Sequence, residues 1–428
     1  MVHRQVTIRR AHRMPYELIT ALLNFPEFQG VDVQIEDRPI HRVVVVSLER
    51  AEGFHRCGSC GKTGLPGYDS HEQDVRHLLW WQSLTVVRFK RYRVQCPDCG
   101  VRTEALDFVD VRGPQVTKSL GHLVYELCKV MTHKAVGILL GLHRGTVREI
   151  DKARMEKVQS ERPLNGITVL GFDEIGVGKG QTYWTMVSAL EGPRGPELLN
   201  IVEGRKEKNL KPFWAWFGKD RSRRITHGVM DMWKPYRKSL LAHCPKAQVV
   251  YDKFHVIRHL LEAVNEVRKQ EFRRLGEAMR GILAGKKFVL LSRRSNLTRQ
   301  ARKALEELLL VSPRLLKAHV LKESFGHLWE YRSRTSADRF FRKWVDALKW
   351  SRMEPLKRFA TMVEEHLDGI LSYCEKKVPL GYIESTNQKA KNVIRRAYGY
   401  RDERFKKLKI IQACTPWMNE FQPWSHDP

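Results

Sequence analysis

The stretch "VLGFDEIGVGKG", residues 169–180, sets Asp173 and Glu174 directly after an apolar run. An acid at that point has three readings: a turn residue at a strand end, a surface charge, or a metal ligand. Deciding among them needs further acids in comparable places and a reason to expect an anionic partner. The residues around the stretch supply the first. "ITVLGFDEI" (167–175), "TYWTMVSALEG" (182–192) and "ELLNIVEGR" (197–205) read as three successive strands, and "KNLKPFWAWFG" (208–218) as a helix. "ITHGVMDMWKPYRKSLLAHC" (225–244) is a strand ending at Asp231 and running into a helix; "KAQVVYDKFHVIRHLL" (246–261) repeats the pattern with Asp252. Three meandering strands followed by strand–helix alternation is the order of a ribonuclease-H-like fold, in which Asp173 and Asp231 lie close together.

A third acid stands far downstream. "VPLGYIESTNQKAKNVIRRAYGYRDERFKKLKII" (378–411) turns helical after Ile383, and Glu384 opens it. The intervening chain is helical in texture. Val256, Leu260, Val264 and Val267 recur at three- to four-residue steps, and "FFRKWVDALKW" and "FATMVEEHLDGILSYC" behave likewise. These segments are expected to form an all-helical insertion. Three carboxylates suit a pair of Mg²⁺ or Mn²⁺ ions, hard cations that take oxygen ligands and can clamp an in-line displacement at phosphorus. Glu174 points to the opposite face of a continuing strand. Glu174, Asp252 and His255 are therefore supporting candidates behind the ligands. Trp233, Lys234, Tyr236 and Arg237 follow Asp231 and line a substrate groove or cap a helix.

The charge supplies the anionic partner. Among 428 residues, 76 Lys and Arg face 48 Asp and Glu, a net charge of +28, and the isoelectric point is near 9.9. That balance points to nucleic acid, with an anionic membrane surface as the other polyanion. No apolar run approaches the ~18 residues of a membrane span, the mean hydropathy is −0.45, and "MVHRQVTIRRAHRMPYEL" has no signal-peptide core. A cytoplasmic protein with reduced cysteines is expected.

Four of the eight cysteines fall into matched pairs, "CGSCG" (Cys57, Cys60) and "CPDCG" (Cys96, Cys99). Two such knuckles can close a tetrahedral structural zinc site with no open position. Gly61 and Gly100 suit the tight turn after each pair. Cys128, Cys244, Cys374 and Cys414 are scattered and read as small buried residues. The β-branched runs "HRVVVVSLE" (41–49) and "SLTVVRFKRYRVQC" (83–96) mark a β-rich module. The second run carries Arg88, Lys90, Arg91 and Arg93, either facing DNA or lining a solvated edge. Then "HKAVGILLGLHRGTVREIDKARMEK" (133–157) places a short apolar helix, a Gly141 turn and a second helix from about Arg144. That is helix-turn-helix spacing, with Arg144, Thr146, Arg148 and Lys152 offered to DNA, although any helical hairpin with a glycine turn has the same pattern. Lys389, Lys391, Arg395 and Arg396 form a second basic face beyond Glu384.

With these residues in view, the chain resembles the DDE transposases of bacterial insertion sequences, of the ISL-three family, along nearly its whole length. The resemblance is carried by the cysteine pairs, "GFDEIGVGKGQTYWTMV", "GVMDMWKPYRKSL", "VVYDKFHVIRHLLEAVNEVR" and "GYIESTNQKAKNVIRRAYGYRDERF". It implies catalytic acids at Asp173, Asp231 and Glu384, two Mg²⁺ or Mn²⁺ ions, and one structural zinc. It also implies zinc-ribbon and helix-turn-helix modules for terminal inverted repeats, strand transfer into target DNA, and a dimer or larger assembly on DNA in a bacterial, nucleoid-associated setting. The expected architecture is a multidomain α/β chain. A β-rich zinc-binding module (1–111) and a helix-turn-helix module (112–162) precede a ribonuclease-H-like core (163–258 and 377–428), which the helical insertion (259–376) interrupts. Two other functions fit the same residues: a zinc and helix-turn-helix regulator whose acids are structural, and a ribonuclease-H-like nuclease without preference for element ends.

Overall fold

The computed structural model describes residues 16–37, 42–50, 55–178, 182–276, 280–282, 284–396 and 401–422. The start of the chain, 1–15, and residues 179–181 at the end of the opening stretch lie outside them. The chain divides into two compact units, Met1–Arg162 with Asn419–Pro428, and Pro163–Met418.

In the first unit, helix α1 (Tyr16–Leu23) precedes five strands: β1 (Phe28–Asp37), β2 (Arg42–Arg50), β3 (Gly67–Trp80), β4 (Ser83–Cys96) and β5 (Gly100–Thr103). Their order is β1-β2-β4-β3, with β5 on β4. Strand β2 is buried from Val43 to Val46, because apolar groups cover both of its faces. Val44 and Val46 pack with Phe28, Phe89 and Phe108, while Val43 and Val45 pack with Val86. Strand β3 is the element the sequence concealed: its first half is polar and exposed. It is held by register. Asp69 lies opposite Arg93 and Asp74 opposite Arg88, opposite charges directly across an antiparallel pair.

Three helices follow: α2 (Lys118–Val130), α3 (His133–Leu140) and α4 (Arg144–Glu161). The hydroxyls of Thr117 and Thr132 accept from Leu120 N and Ala135 N at the starts of α2 and α3. Gly141 ends α3 at φ 61°, left-handed backbone that a glycine adopts without strain.

The second unit begins with β6 (Val169–Gly176), β7 (Tyr183–Glu191) and β8 (Glu197–Glu203), joined antiparallel. Then come α5 (Lys211–Phe217), α6 (Lys219–Ser222), β9 (His227–Met230), α7 (Lys234–His243), β10 (Gln248–Tyr251) and α8 (Lys253–Arg274). The sheet order is β10-β9-β6-β7-β8, with β9 parallel to both β6 and β10. Further helices follow: α9 (Lys287–Leu291), α10 (Arg299–Val311), α11 (Pro313–Phe325), α12 (Arg334–Lys349), α13 (Glu354–Glu365), α14 (Leu367–Glu375), α15 (Gly381–Arg396), α16 (Glu403–Cys414) and α17 (Pro416–Asn419).

The two sheet faces carry different cargo because side chains alternate along a strand. Phe172 packs with Phe213, Trp214 and Tyr236 of α5 and α7. On the other face, a side chain at Gly171 would meet Ile383 of α15 at 3.3 Å. Phe325, Phe341, Trp344 and Phe359 of the later helices join the same continuous apolar core as the sheet. Phe341 and Trp344 are thus core residues.

Helix α14 packs directly on β10. A Cβ at Gly369 would lie 2.6 Å from the Tyr251 ring, with the Val249 carbonyl oxygen at 3.3 Å on another side. Gly369→Ala overpacks this contact and is expected to destabilise the second unit by about 1–3 kcal/mol. The check is the denaturant midpoint. An unchanged midpoint would mean that the Tyr251 ring turns aside at no cost.

Candidate active site and metal centre

The parallel ladder aligns the acids. Gly171 pairs with Val229, and Val229 with Val250. Two residues further along each strand direction stand Asp173, inside β6, and Asp231 and Asp252, each just past the end of its strand, so the three carboxylates occupy equivalent register positions. By the strand alternation they share the face on which Gly171 meets α15.

Each acid is held differently. Asp173 Oδ1 accepts from the Glu174 backbone N–H at 2.8 Å, and His255 Nε2 lies 3.7 Å from the same oxygen. Asp173 Oδ2 accepts from the Asn387 side-chain amide of α15. Asp231 Oδ1 accepts from the Trp233 backbone N–H at 2.8 Å. Asp252 is buried and caps α8, accepting from Phe254 N at 2.8 Å. Burial pushes its carboxyl above the usual range, as expected for a charge moved away from water. The neighbouring Asp173 holds the His255 imidazole above its ordinary value.

Glu384 sits exposed in the first turn of α15, one turn before Asn387. The helix is tied to α16 by the Tyr382 hydroxyl, which donates to the Cys414 carbonyl at 2.5 Å. Glu174, on the other face of β6, is half-buried and bonds Arg205 at 3.3 Å. Its carboxyl is raised mainly by burial, against the pull of Arg205. Arg205 lies between Tyr183 and Trp233, 4.5 and 4.6 Å from the ring centres, and the Trp233 indole donates to the Arg205 carbonyl at 3.0 Å. Sequence reasoning passed over Arg205, since nothing in "ELLNIVEGR" marks it apart from the turn at Gly204.

The oxygens and unsatisfied atoms suit a hard, hydrated cation. Asn387 Oδ1 and His255 Nδ1 are buried without hydrogen-bond partners, on side chains that reach the Asp173 carboxylate; a hard divalent ion takes such oxygens together with waters. A cavity of about 160 Å³ is lined by Asp231, Trp233, His255, Arg258 and His259.

The cysteine quartet is compact. The thiols of Cys57, Cys60, Cys96 and Cys99 lie within 4.8 Å of one another. Cys60 and Cys96 are 3.6 Å apart, too far for a disulfide bond. Gly61 and Gly100 adopt φ of 77° and 71°. The Cys57 thiol is lowered to about 7, chiefly by the backbone N–H of Cys60 and then that of Ser59. Cys99 is raised to about 12, first by its hydrogen bond with Cys60. Four converging thiols, one of them already acidified, fit zinc.

The chain matches a family model described as a transposase, of the ISL-three DDE type, over residues 170–410. The chain belongs to the ISL-three family of DDE transposases. A second model, a zinc finger of insertion-sequence transposases, matches residues 53–99. The transposase for insertion sequence element IS1001 from Bordetella parapertussis is 30% identical over 91% of this chain and 94% of its own. A transposase for element IS1557 from Mycobacterium tuberculosis is 24% identical over 84% of this chain and 86% of its own. As a member of this family the protein is a DNA transposase, an enzyme of DNA cleavage and strand transfer, with a zinc-binding N-terminal region and a divalent-metal site.

The basic residues are placed unevenly. Arg91 is buried, with NH₂ 3.4 Å from two backbone carbonyls, so it does not face DNA as the strand pattern suggested. Arg88 donates to Asp74 through Nε and Nη2, at 2.7 and 2.8 Å, and Arg93 bonds Asp69, while Lys90 is exposed. Arg144 and Arg148 are exposed on α4, with Thr146 and Lys152 half-buried. Lys234 and Arg237 line a cavity of about 680 Å³ with Lys238, Tyr251 and Asp368. Tyr236 is not a groove residue: it is buried against Phe172, its hydroxyl 3.0 Å from Thr185. Lys389, Lys391, Arg395 and Arg396 are all exposed. Among the described residues, no helix is long and apolar enough to cross a membrane.

Cys57→Ser is expected to release zinc and loosen the β4–β5 turn while leaving the second unit folded. Protease sensitivity of the first unit, followed by mass spectrometry, checks this. Equal protection in variant and parent would show that the thiols do not carry the turn.

Proposed function

We propose that the enzyme cleaves at the terminal inverted repeats of an insertion sequence and joins the freed 3′ ends to target DNA, with Asp173, Asp231 and Glu384 as the catalytic acids. The observation that carries this reading is the register of β6 and β9, with α15 tied to Asp173 through Asn387. A ribonuclease-H-like core interrupted by the helices from α8 to α14 accounts for the sheet order and for the late arrival of Glu384.

Asp173, Asp231 and Glu384 together would hold two Mg²⁺ or Mn²⁺ ions. Bound there, such ions would supply Lewis-acid stabilisation to the attacking oxygen and the leaving 3′ oxygen. The protein's own part is positioning. Asn387 and His255 orient the Asp173 carboxylate, and the Asx turn at Trp233 orients Asp231. Glu174 is kept apart on the other face by Arg205.

The net charge of +28 holds the DNA backbone. Exposed Lys389, Lys391, Arg395 and Arg396 continue from the Glu384 turn and are proposed as a phosphate-binding face. Lys234 and Arg237 serve the same role after Asp231. Helices α3 and α4 are proposed as a helix-turn-helix that offers Arg144, Thr146, Arg148 and Lys152. The paired Arg88 and Arg93 steady β3 first, and contact DNA together with Lys90 only where a phosphate replaces an aspartate. Two ends must be joined, so a dimer or larger assembly on DNA is part of the proposal, as is a cytoplasmic, nucleoid-associated setting.

The test uses labelled DNA bearing the element's own ends. Asp173→Asn and Asp231→Asn should bind the ends normally and lose nicking by at least ~100-fold, since removing a carboxylate ligand costs several kcal/mol of transition-state stabilisation. Nicking that survives in Asp231→Asn would sink the assignment. End binding without nicking by the parent protein would favour a regulator, and equal nicking of unrelated DNA a simple nuclease.

A further inference from the structure

Outside both sites, one more set of metal-binding groups converges. Cys128 lies in the last turn of α2, His133 in the first turn of α3, and Asp151 in the second turn of α4. One ligand atom from each lies within 4.8 Å of the other two. The His133 Nε2 to Asp151 Oδ2 distance is 2.8 Å. The Asp151 side chain is fully buried and that of His133 is 21% exposed, while Cys128 is 7% exposed in the apolar core of these helices. From the sequence alone Cys128 reads as a small core residue, because its partners sit on other helices.

We propose that Cys128, His133 and Asp151 form a second zinc site, distinct from the cysteine quartet, that clasps the three helices together. The donor set of one sulfur, one imidazole nitrogen and one carboxylate oxygen suits zinc, which takes all three kinds and has no geometric preference of its own. Bond lengths of about 2.0–2.3 Å put tetrahedral ligand atoms roughly 3.3–3.7 Å apart. The His133–Asp151 pair therefore needs to open by only about half an ångström for an ion to replace the proton between them. The thiol also gives up its proton on binding. The exposed edge of His133 is the entry path, and the fourth position is left to water.

An ion pair alone would explain His133 and Asp151, and core packing alone would explain Cys128; a zinc ion accounts for all three converging within 4.8 Å. The consequence of the zinc site is mechanical. The metal ties the C-terminal end of α2 to the starts of α3 and α4, fixing how Arg144 and Arg148 are presented.

The experiment counts zinc in the full-length protein after zinc loading and passage through a weak chelating resin, by plasma mass spectrometry against amino-acid analysis. The expected result is two ions per chain in the parent. One ion should remain in Cys128→Ala and in His133→Gln, with helical content checked by circular dichroism, and one in Cys57→Ser. A parent with one ion overturns the proposal, as do folded Cys128→Ala and His133→Gln proteins that both keep two. A second readout does not depend on those variants folding. With cobalt in place of zinc, protein carrying Cys57→Ser and Cys60→Ser should retain the charge-transfer band of a single thiolate. No band in that protein, or a band with the intensity of several thiolates, counts against the site.

Discussion

The second unit depends on one register. Because β6, β9 and β10 run parallel with Gly171, Val229 and Val250 in line, Asp173, Asp231 and Asp252 arrive abreast. Three like charges in a row repel, and the fold relieves the repulsion residue by residue. Asp252 spends its oxygen on the first turn of α8 and is pushed toward its neutral form by burial. Asp173 takes a backbone N–H, the Asn387 amide and a nearby imidazole. Asp231 turns back on the Trp233 N–H and remains half-exposed beside a small polar cavity. Asp252 is the most deeply buried of the three, whereas Asp173 and Asp231 keep part of their surface exposed. That separates two ligand candidates from a third acid of the same type at an equivalent position.

What the sequence made legible follows from how local each signal is. β6 to β10 are dense in Val, Ile, Leu and aromatic residues, so strand runs and their terminal acids could be read directly. The cysteine pairs carry their own spacing, and glycine at positive φ followed both, as the turn chemistry required. The failures are all matters of partnership. Strand β3 is too polar to read as a strand and exists because its aspartates face the arginines of β4. Arg91 resembles its basic neighbours in sequence, yet alternation turns it inward. Tyr236 follows Asp231 in a run of groove-like residues, but the helical repeat sets it against Phe172. Asn387 reaches Asp173 across 214 positions, and no spacing rule connects them.

The distribution of charge sharpens the meaning of +28. On β4 two arginines, Arg88 and Arg93, are already engaged by aspartates, so that strand offers less free positive potential than its sequence suggests. Helix α15 is different. Its four cations Lys389, Lys391, Arg395 and Arg396 are exposed, while its buried side, Ile383, Thr386 and Ala390, packs inward. The same helix thus anchors to the core by a narrow stripe, carries Glu384 in its first turn and holds positive charge toward its end. An anion drawn to that charge lies along the helix that bears the acid.

Asn387 is only half satisfied. Its amide donates to Asp173 Oδ2 while its carbonyl oxygen is buried without a partner, and His255 is in the same position, with Nε2 toward Asp173 and Nδ1 unmatched. Buried unmatched polar atoms cost free energy, and both belong to side chains whose other polar atom reaches the same carboxylate. The core can accept two poor hydrogen-bond positions here because the rest of α15 is held independently, by the Tyr382–Cys414 bond and by Ile383 against Gly171. Rigid support outside and unsatisfied polarity inside is the pattern of a site shaped for a ligand rather than for its own stability.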